Sequence, residues 1–233
     1  MYKRKDRRLD EPREMDAKVG IIKRADGSAM FKMGNTIALA AVYGPRNLYP
    51  KFMQNPEKGI LRVNYNMFSF SVSERIRPGP SRRSKEISLV SENALLSCLN
   101  LEEFPNSVID VYIEILQADA GTRCAGICAA SMALADAGIP MRDLVSAVSV
   151  GKVGDAIVVD LDKSEEDYEE GSTDMPVAMM PRNGKISLLQ MDGNMSKEDI
   201  KKALDLARNT CNKIYELQKK TLKEKYMGEV ENE

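Results

Sequence analysis

The 233-residue chain contains no histidine. That absence removes Ser-His-Asp triads, His-ligated metals and His acid–base ribonuclease chemistry together. An enzyme built from this chain must rely on carboxylates, arginines, lysines or a metal ion. No apolar run approaches the about 20 residues that a membrane span requires. The basic start from Met1 to Arg8 leads into charged residues and not into an apolar signal segment. A cytoplasmic protein with no membrane contact is therefore expected. The four cysteines, Cys98, Cys124, Cys128 and Cys211, lack the paired spacing of a zinc site and sit in apolar, helix-like patterns, which predicts reduced core thiols. Excess charge is missing too, since 34 Lys and Arg against 35 Asp and Glu leave a net charge of -1. Any nucleic-acid surface has to be a local cluster.

An apolar content of 43% is enough for one large domain or two intimately packed halves. The charged first 16 residues, with Lys3, Arg4, Lys5, Arg7 and Arg8, read as a flexible arm. Short apolar stretches at Val19-Gly-Ile-Ile and Thr36 to Tyr43, separated by Ala25-Asp-Gly-Ser and Met33-Gly-Asn, predict consecutive strands, the third ended by Gly44-Pro45. Alternation from Ile60 to Phe70 predicts a half-exposed strand. Ser81 or Ser84 caps a helix carrying Ile87, Val90, Ala94, Leu95 and Cys98. A strand over 108–116 follows, and Ala120-Gly-Thr leads into a helix of small residues, 125–137, stopped by Gly138 and Pro140. A second round predicts strands at 144–150, 156–161, 177–180 and 186–190. It closes with a long helix from Ser196 whose stripe is Ile200, Leu204, Ala207, Cys211, Ile214 and Leu217. Strands followed by helices occur twice, which predicts an α+β architecture with a weak internal duplication. The divisions expected are an arm at 1–16, halves at 17–147 and 148–226, and a frayed tail at 227–233.

Three constellations could carry chemistry. At Asp119-Ala-Gly-Thr-Arg a strand end meets a helix start, so unpaired N–H groups, the helix dipole, the Thr122 hydroxyl and Arg123 form an anion site; Thr122 as a plain N-cap is the alternative. Arg82 and Arg83, preceded by Arg75 and Arg77, could grip a nucleic-acid backbone or form a solvated surface run. The acidic stretch from Asp160 to Asp174 could hold a metal, donate a proton, or be an acidic surface loop. Together they supply anion capture, backbone grip and a carboxylate. Phosphate is already a nucleophile at neutral pH, so phosphorolysis suits a histidine-free chain. Two-metal hydrolysis stays open on these grounds.

Seven ordered blocks resemble the RNase PH-like family: Arg24-Ala-Asp-Gly-Ser-Ala, Gly34-Asn-Thr, Val42-Tyr-Gly-Pro, Ser81-Arg-Arg, Ile115-Leu-Gln-Ala-Asp-Ala-Gly-Thr-Arg, Ala133-Leu-Ala-Asp-Ala-Gly-Ile-Pro-Met and Asp174-Met-Pro-Val-Ala-Met-Met. The wording looks like that of the catalytic RNase PH-like subunits of archaeal exosomes. This resemblance implies an RNase PH-like fold with duplicated βαβα-type halves, similar to ribosomal protein S5 domain 2. It implies 3′-to-5′ phosphorolysis of single-stranded RNA to nucleoside diphosphates, together with the reverse tailing reaction. Inorganic phosphate is the implied co-substrate, and Mg2+ or Mn2+ the implied metal. The implied partners are an inactive RNase PH-like paralogue alternating in a hexameric ring and RNA-binding cap proteins.

By position, Gly121, Thr122 and Arg123 match the phosphate-binding turn. Arg82 and Arg83 match an RNA-gripping pair, with Arg62 and Arg75 as further RNA contacts. Asp167 and Asp174 match the acidic pair that serves catalysis or a metal, and Glu166 competes with Asp167 because the segment is one residue longer than the family spacing. A stand-alone homohexameric RNase PH that trims tRNA 3′ ends, and a non-catalytic RNA-binding ring subunit, are the alternative readings.

Overall fold

The computed structural model describes residues 2, 4, 6–74, 76–169 and 171–230, the last three without their side chains. The period-two patterning of its first half becomes one five-stranded sheet. The strands are β1 (Met15–Val19), β2 (Gly27–Met33), β3 (Thr36–Asn47), β4 (Ile60–Met67) and β5 (Ser107–Gln117), in the order β1-β2-β3-β5-β4. Leu61, Val63 and Tyr65 of β4 face the core while Arg62 and Asn64 face out, as their alternation requires. β3 does not stop at Gly44-Pro45. It runs to Asn47 through a register shift between Tyr43 and Arg46 that takes Pro45, which has no N–H to donate, out of the ladder.

β4 and β5 are parallel, so the chain must cross over between them, and helix α1 (Arg82–Leu96) makes that crossing. Both candidate caps act at once: Ser84 N donates to Ser81 Oγ at 3.0 Å, and Ser81 N donates to Ser84 Oγ at 2.8 Å. After β5 comes α2 (Thr122–Asp136), then β6 (Ser146–Val153), β7 (Ala156–Val159), α3 (Lys163–Glu166), β8 (Ser172–Met180), β9 (Lys185–Leu189) and α4 (Lys197–Val230). The second sheet, ordered β7-β6-β8-β9, is antiparallel throughout. The α+β class is as expected, with one sheet and its helices in each half.

Helix α2 is the common wall. It packs on β2, β3 and β5 of the first sheet, on β6 and β8 of the second, and on α4. Its small residues permit that crowding: a Cβ at Gly126 would lie 2.8 Å from Ile113 Cγ2, and one at Gly27 would lie 2.3 Å from the Ala133 carbonyl. Cys124, Cys128 and Cys211 are buried here and, like Cys98, free, as predicted.

Both ends of the chain are more ordered than their composition suggested. The tail expected to fray from residue 227 continues as helix to Val230, held near its end by Lys225 Nζ donating to Asp136 Oδ1 at 2.7 Å; residues 231–233 lie outside the described residues. The arm expected to be flexible is docked on the second sheet. Val159 N donates to the Leu9 carbonyl at 2.9 Å, and Arg4 pairs with Glu165 at 2.6 Å. Arg4 and Arg7 have a buried carboxylate partner, Glu165, far along the chain, which local composition does not reveal, whereas Arg8 pairs with the exposed Asp10; Lys3 and Lys5 lie outside the described residues.

Candidate active site

The turn between β5 and α2 is left-handed at two successive residues, Ala120 with φ 56° and Gly121 with φ 62°. Gly121 is the N-cap of α2, and no side chain caps the helix. Thr122 is thus the first helical residue and not the cap, because glycine supplies the left-handed cap geometry without a side-chain acceptor. The first N–H groups of α2 have no intrahelical acceptor. Thr122 is buried, and its hydroxyl accepts from Tyr65 Oη at 2.8 Å.

Long-range bonds fix this turn. Thr36 Oγ1 donates to the Ala120 carbonyl at 2.7 Å and accepts from Asp119 N at 3.0 Å. Arg13 Nη1 donates to the Asp119 carbonyl. The same guanidinium grips the buried Asp160 carboxylate, from Nε at 2.9 Å and from Nη2 at 2.6 Å, while Arg13 N donates to it at 2.8 Å.

Arg123, on the first turn of α2, is largely buried. Its Nη1 donates to Gln190 Oε1, Nη2 lies 3.7 Å from the Glu86 carboxylate, and Gln190 Nε2 donates to Glu86 Oε1 at 3.1 Å. These contacts aim the guanidinium. Its Nε is buried with no acceptor among the described residues. A charged donor left unpaired is costly, and an anion in the cleft is one group that could pair with it.

Asp174 stands opposite. Of the alternatives open for the acidic stretch, a surface loop does not hold for Asp174, which lies on β8, where its backbone exchanges hydrogen bonds with Asp192 at 3.0 and 2.8 Å. Ser149 Oγ donates to its carboxylate. Burial pushes the Asp174 carboxyl above its ordinary value; Ser149, Arg123 and Arg83 oppose the rise, and Asp192 adds to it. Burial also raises the Glu166 carboxyl, and the nearby Asp174 charge adds to that shift.

Two adjoining clefts, of about 280 and 590 Å³, share Arg83, Arg123, Glu166, Asp174 and Pro176. The first reaches the turn at Gly121, Thr122 and Arg123, with Ser149 and Lys163 beside it. The second extends past Asp167 to Gln190 and Asp192. Five expected residues therefore converge with Arg83: Gly121, Thr122, Arg123, Asp167 and Asp174.

Arg82 and Arg62 stand apart from these. Arg82 is exposed and lines neither cleft. Arg62 makes a two-point pair with Asp110 across β4 and β5, at 2.7 and 2.9 Å, because the strand that buries Val63 turns Arg62 outward. Arg75 lies outside the described residues. Asp167 is exposed and engaged by Lys163 at 2.7 Å, whereas Glu166 lines both clefts. Among the described residues, no three His, Cys, Asp or Glu side chains converge as a metal cage. The sequence reading missed Ser149, Tyr65, Lys163, Gln190, Glu86, and the Arg13–Asp160 pair. Only Ser149 left a local signal, a hydroxyl inside the apolar run of β6.

Residues 11–140 match the 3′ exoribonuclease family, domain 1, and residues 143–210 match domain 2 of that family. The chain belongs to the RNase PH family of 3′ exoribonucleases. It is 55% identical over 226 residues to the exosome complex component Rrp41 of Pyrococcus furiosus, covering 95% of this chain and 90% of that relative. It is 54% identical over 221 residues to Rrp41 of Thermococcus gammatolerans, covering 95% and 88%. Among solved structures, rice (Oryza sativa) Rrp46 superposes with a TM-score of 0.80 at 25% identity, over 93% of this chain and 98% of that one. The Archaeoglobus fulgidus exosome with RNA bound to the active site gives a TM-score of 0.76 at 23% identity, over 90% of each chain, and so shares the fold.

Proposed function

We propose that this chain is the catalytic subunit of an archaeal exosome ring and shortens single-stranded RNA from its 3′ end by phosphorolysis, releasing nucleoside diphosphates. The observation that carries this reading is the pairing, in one cleft, of an uncapped helix start bearing the unpartnered Arg123 Nε with the raised carboxyl of Asp174. The turn at Gly121 and Thr122, with Arg123, holds inorganic phosphate. Arg83 holds the backbone of the RNA beside it.

In the forward step an oxygen of that phosphate forms a bond to the phosphorus of the terminal phosphodiester. The bond to the 3′ oxygen of the preceding nucleotide breaks, and that oxygen takes a proton from the Asp174 carboxyl. The product is a nucleoside diphosphate and an RNA one residue shorter; the reverse step lengthens the RNA. Mg2+ takes one or two carboxylates and completes its shell with phosphate oxygens and water. Asp174 in its ionised form, with Glu166 or Asp167, would suit that demand, and an ion held there would stabilise charge on the phosphate oxygens and on the leaving oxygen in place of the Asp174 proton.

The exosome relatives support membership of an exosome complex; within this reading the chain alternates in a ring with an inactive RNase PH-like paralogue beneath RNA-binding caps and works in the cytoplasm. Contacts to phosphates and 2′-hydroxyls carry no base information, so sequence preference is slight. The test is to incubate the chain, alone and assembled with that paralogue, with single-stranded RNA and Mg2+, with and without phosphate. Diphosphates that appear only with phosphate support the reading. Monophosphates released without phosphate would overturn it. Full activity of a hexamer of this chain alone would favour a stand-alone enzyme instead.

A further inference from the structure

Helix α3 is four residues long, and a helix that short has no stability of its own. It nevertheless carries Lys163 and Glu166 into the first cleft, and Asp167 follows into the second. Contacts from outside the helix must fix where these groups stand. At its start Asp162 and Glu165 cap one another: Glu165 N donates to Asp162 Oδ1 at 3.0 Å and Asp162 N to Glu165 Oε2 at 3.2 Å.

The Glu165 carboxylate is held in turn by the N-terminal arm. Arg4 grips both oxygens, from Nε at 2.6 Å and Nη2 at 2.8 Å; Arg7 Nη2 adds a bond at 3.3 Å and Tyr2 Oη one at 2.8 Å. The same guanidiniums bond the end of β7, Arg4 to the Val159 carbonyl at 2.7 Å and Arg7 to the Asp160 carbonyl at 2.8 Å. Side chains of Arg4 and Glu165 are each 2% exposed. Ordinary surface charge pairing does not bury a pair this deeply, since the desolvation cost is large unless each group is satisfied. A few residues later, Arg13 bonds the Asp119 carbonyl, which directly precedes the turn at Ala120 and Gly121 that enters the first cleft. The arm thus touches both the acidic helix and the phosphate turn.

We infer that the N-terminal arm is a positioning element of the reaction: Arg4 and Arg7, acting through Glu165, set where α3 presents Lys163, Glu166 and Asp167 to the turn at Gly121–Arg123. The inference rests on the reading of this cleft as the phosphorolytic site. Arg4, Arg7 and Glu165 are positioning residues, since neither cleft at the reacting centre is lined by them.

The test compares the wild-type assembled complex with the variant Arg4→Gln plus Arg7→Gln and with Glu165→Gln, each assayed below its melting temperature. Small misplacement of reacting groups is expensive, so kcat is expected to fall about ten- to a hundredfold while KM for RNA stays put. Hydrogen exchange should quicken in residues 162–169 and stay unchanged in α2. Unchanged kcat, or exchange that quickens equally in α2 and α3 as a general loss of stability would cause, overturns the inference. Arg4→Lys keeps the charge but loses the two-point grip, and a smaller fall in kcat is expected; a wild-type rate with wild-type exchange in α3 would also overturn it. A wild-type complex that releases no diphosphates refutes the phosphorolytic reading instead, and the exchange pattern still decides whether the arm holds α3.

Discussion

The hydroxyl of Ser149 donates to the carboxylate of Asp174, its diagonal neighbour on the same face of the β6–β8 ladder. This bond favours the ionised acid and so restrains the rise that burial imposes on Asp174. Ser149→Ala should raise that carboxyl further. An acid that donates a proton works in its protonated form, so activity falls as pH rises through its pKa; a higher pKa moves the alkaline limb to higher pH. The pH profile of kcat for diphosphate release, at saturating RNA and phosphate, checks this. A limb that stays in place would remove Asp174 from the role of proton donor.

Asp174→Ala should abolish turnover while RNA still binds, since Arg83 and Arg123 remain. Anisotropy of labelled single-stranded RNA, set beside diphosphate release, separates the two effects. Loss of binding along with turnover would mean that the carboxylate organises the cleft and does not act in the chemical step.

Arg123→Ala removes a cleft guanidinium whose buried Nε has no acceptor among the described residues. A hydrogen bond to a charged group is worth about 1.5–3 kcal/mol, so the KM for inorganic phosphate should rise about ten- to a hundredfold. Arg123→Lys restores the charge without the planar fork and should recover only part of that loss. Initial rates across a phosphate titration decide it.

The structure separates the two arginines that the sequence presents as a pair. Arg83 lines both clefts and Arg82 neither. Arg83→Ala should weaken RNA binding and reduce the slope of log K against log salt by about one; Arg82→Ala should do less in the isolated chain. The double reversal Arg82→Glu with Arg83→Glu should flatten the salt dependence further. Equal effects from the two single changes would place Arg82 on the RNA path as well.

Asp160 holds a left-handed φ of 56° and a buried ion pair with Arg13. Asn tolerates that backbone conformation, so Asp160→Asn removes the charge with little strain. Breaking a buried pair from one side costs about 3–5 kcal/mol. A chemical denaturation curve should show a loss of that order, and phosphate binding should weaken as Arg13 lets go of the phosphate turn. Unchanged stability would show that Arg13 finds another acceptor.

The sequence made local features legible. The alternation of β4, the reciprocal Ser81 and Ser84 cap, the small-residue α2 and the thiols of the core all follow from neighbours a few positions apart. That the turn at Gly121–Arg123 and Asp174 share one cleft was legible through ordered motifs. What escaped is non-local. Nothing near Arg4 announces Glu165, nothing near Arg123 announces Gln190, and nothing near Asp119 announces Thr36, because each bond joins segments far apart in sequence that only the folded chain brings side by side: the arm and α3, α2 and the end of β9, and the ends of the paired strands β3 and β5. The same reason misjudged the ends of the chain: charge and polarity read as disorder until a buried partner is in view.

Helix α2 has the first sheet on one side and the second on another, and almost every residue along it is buried. Its first turn, which lines the first cleft, is therefore anchored by a helix packed against both sheets, where close packing resists displacement. Neither half can swing away without tearing that helix from the sheet it keeps. For an exoribonuclease that repeats one reaction many times, the consequence is constancy: the residues facing one another across the cleft keep their spacing from one turnover to the next.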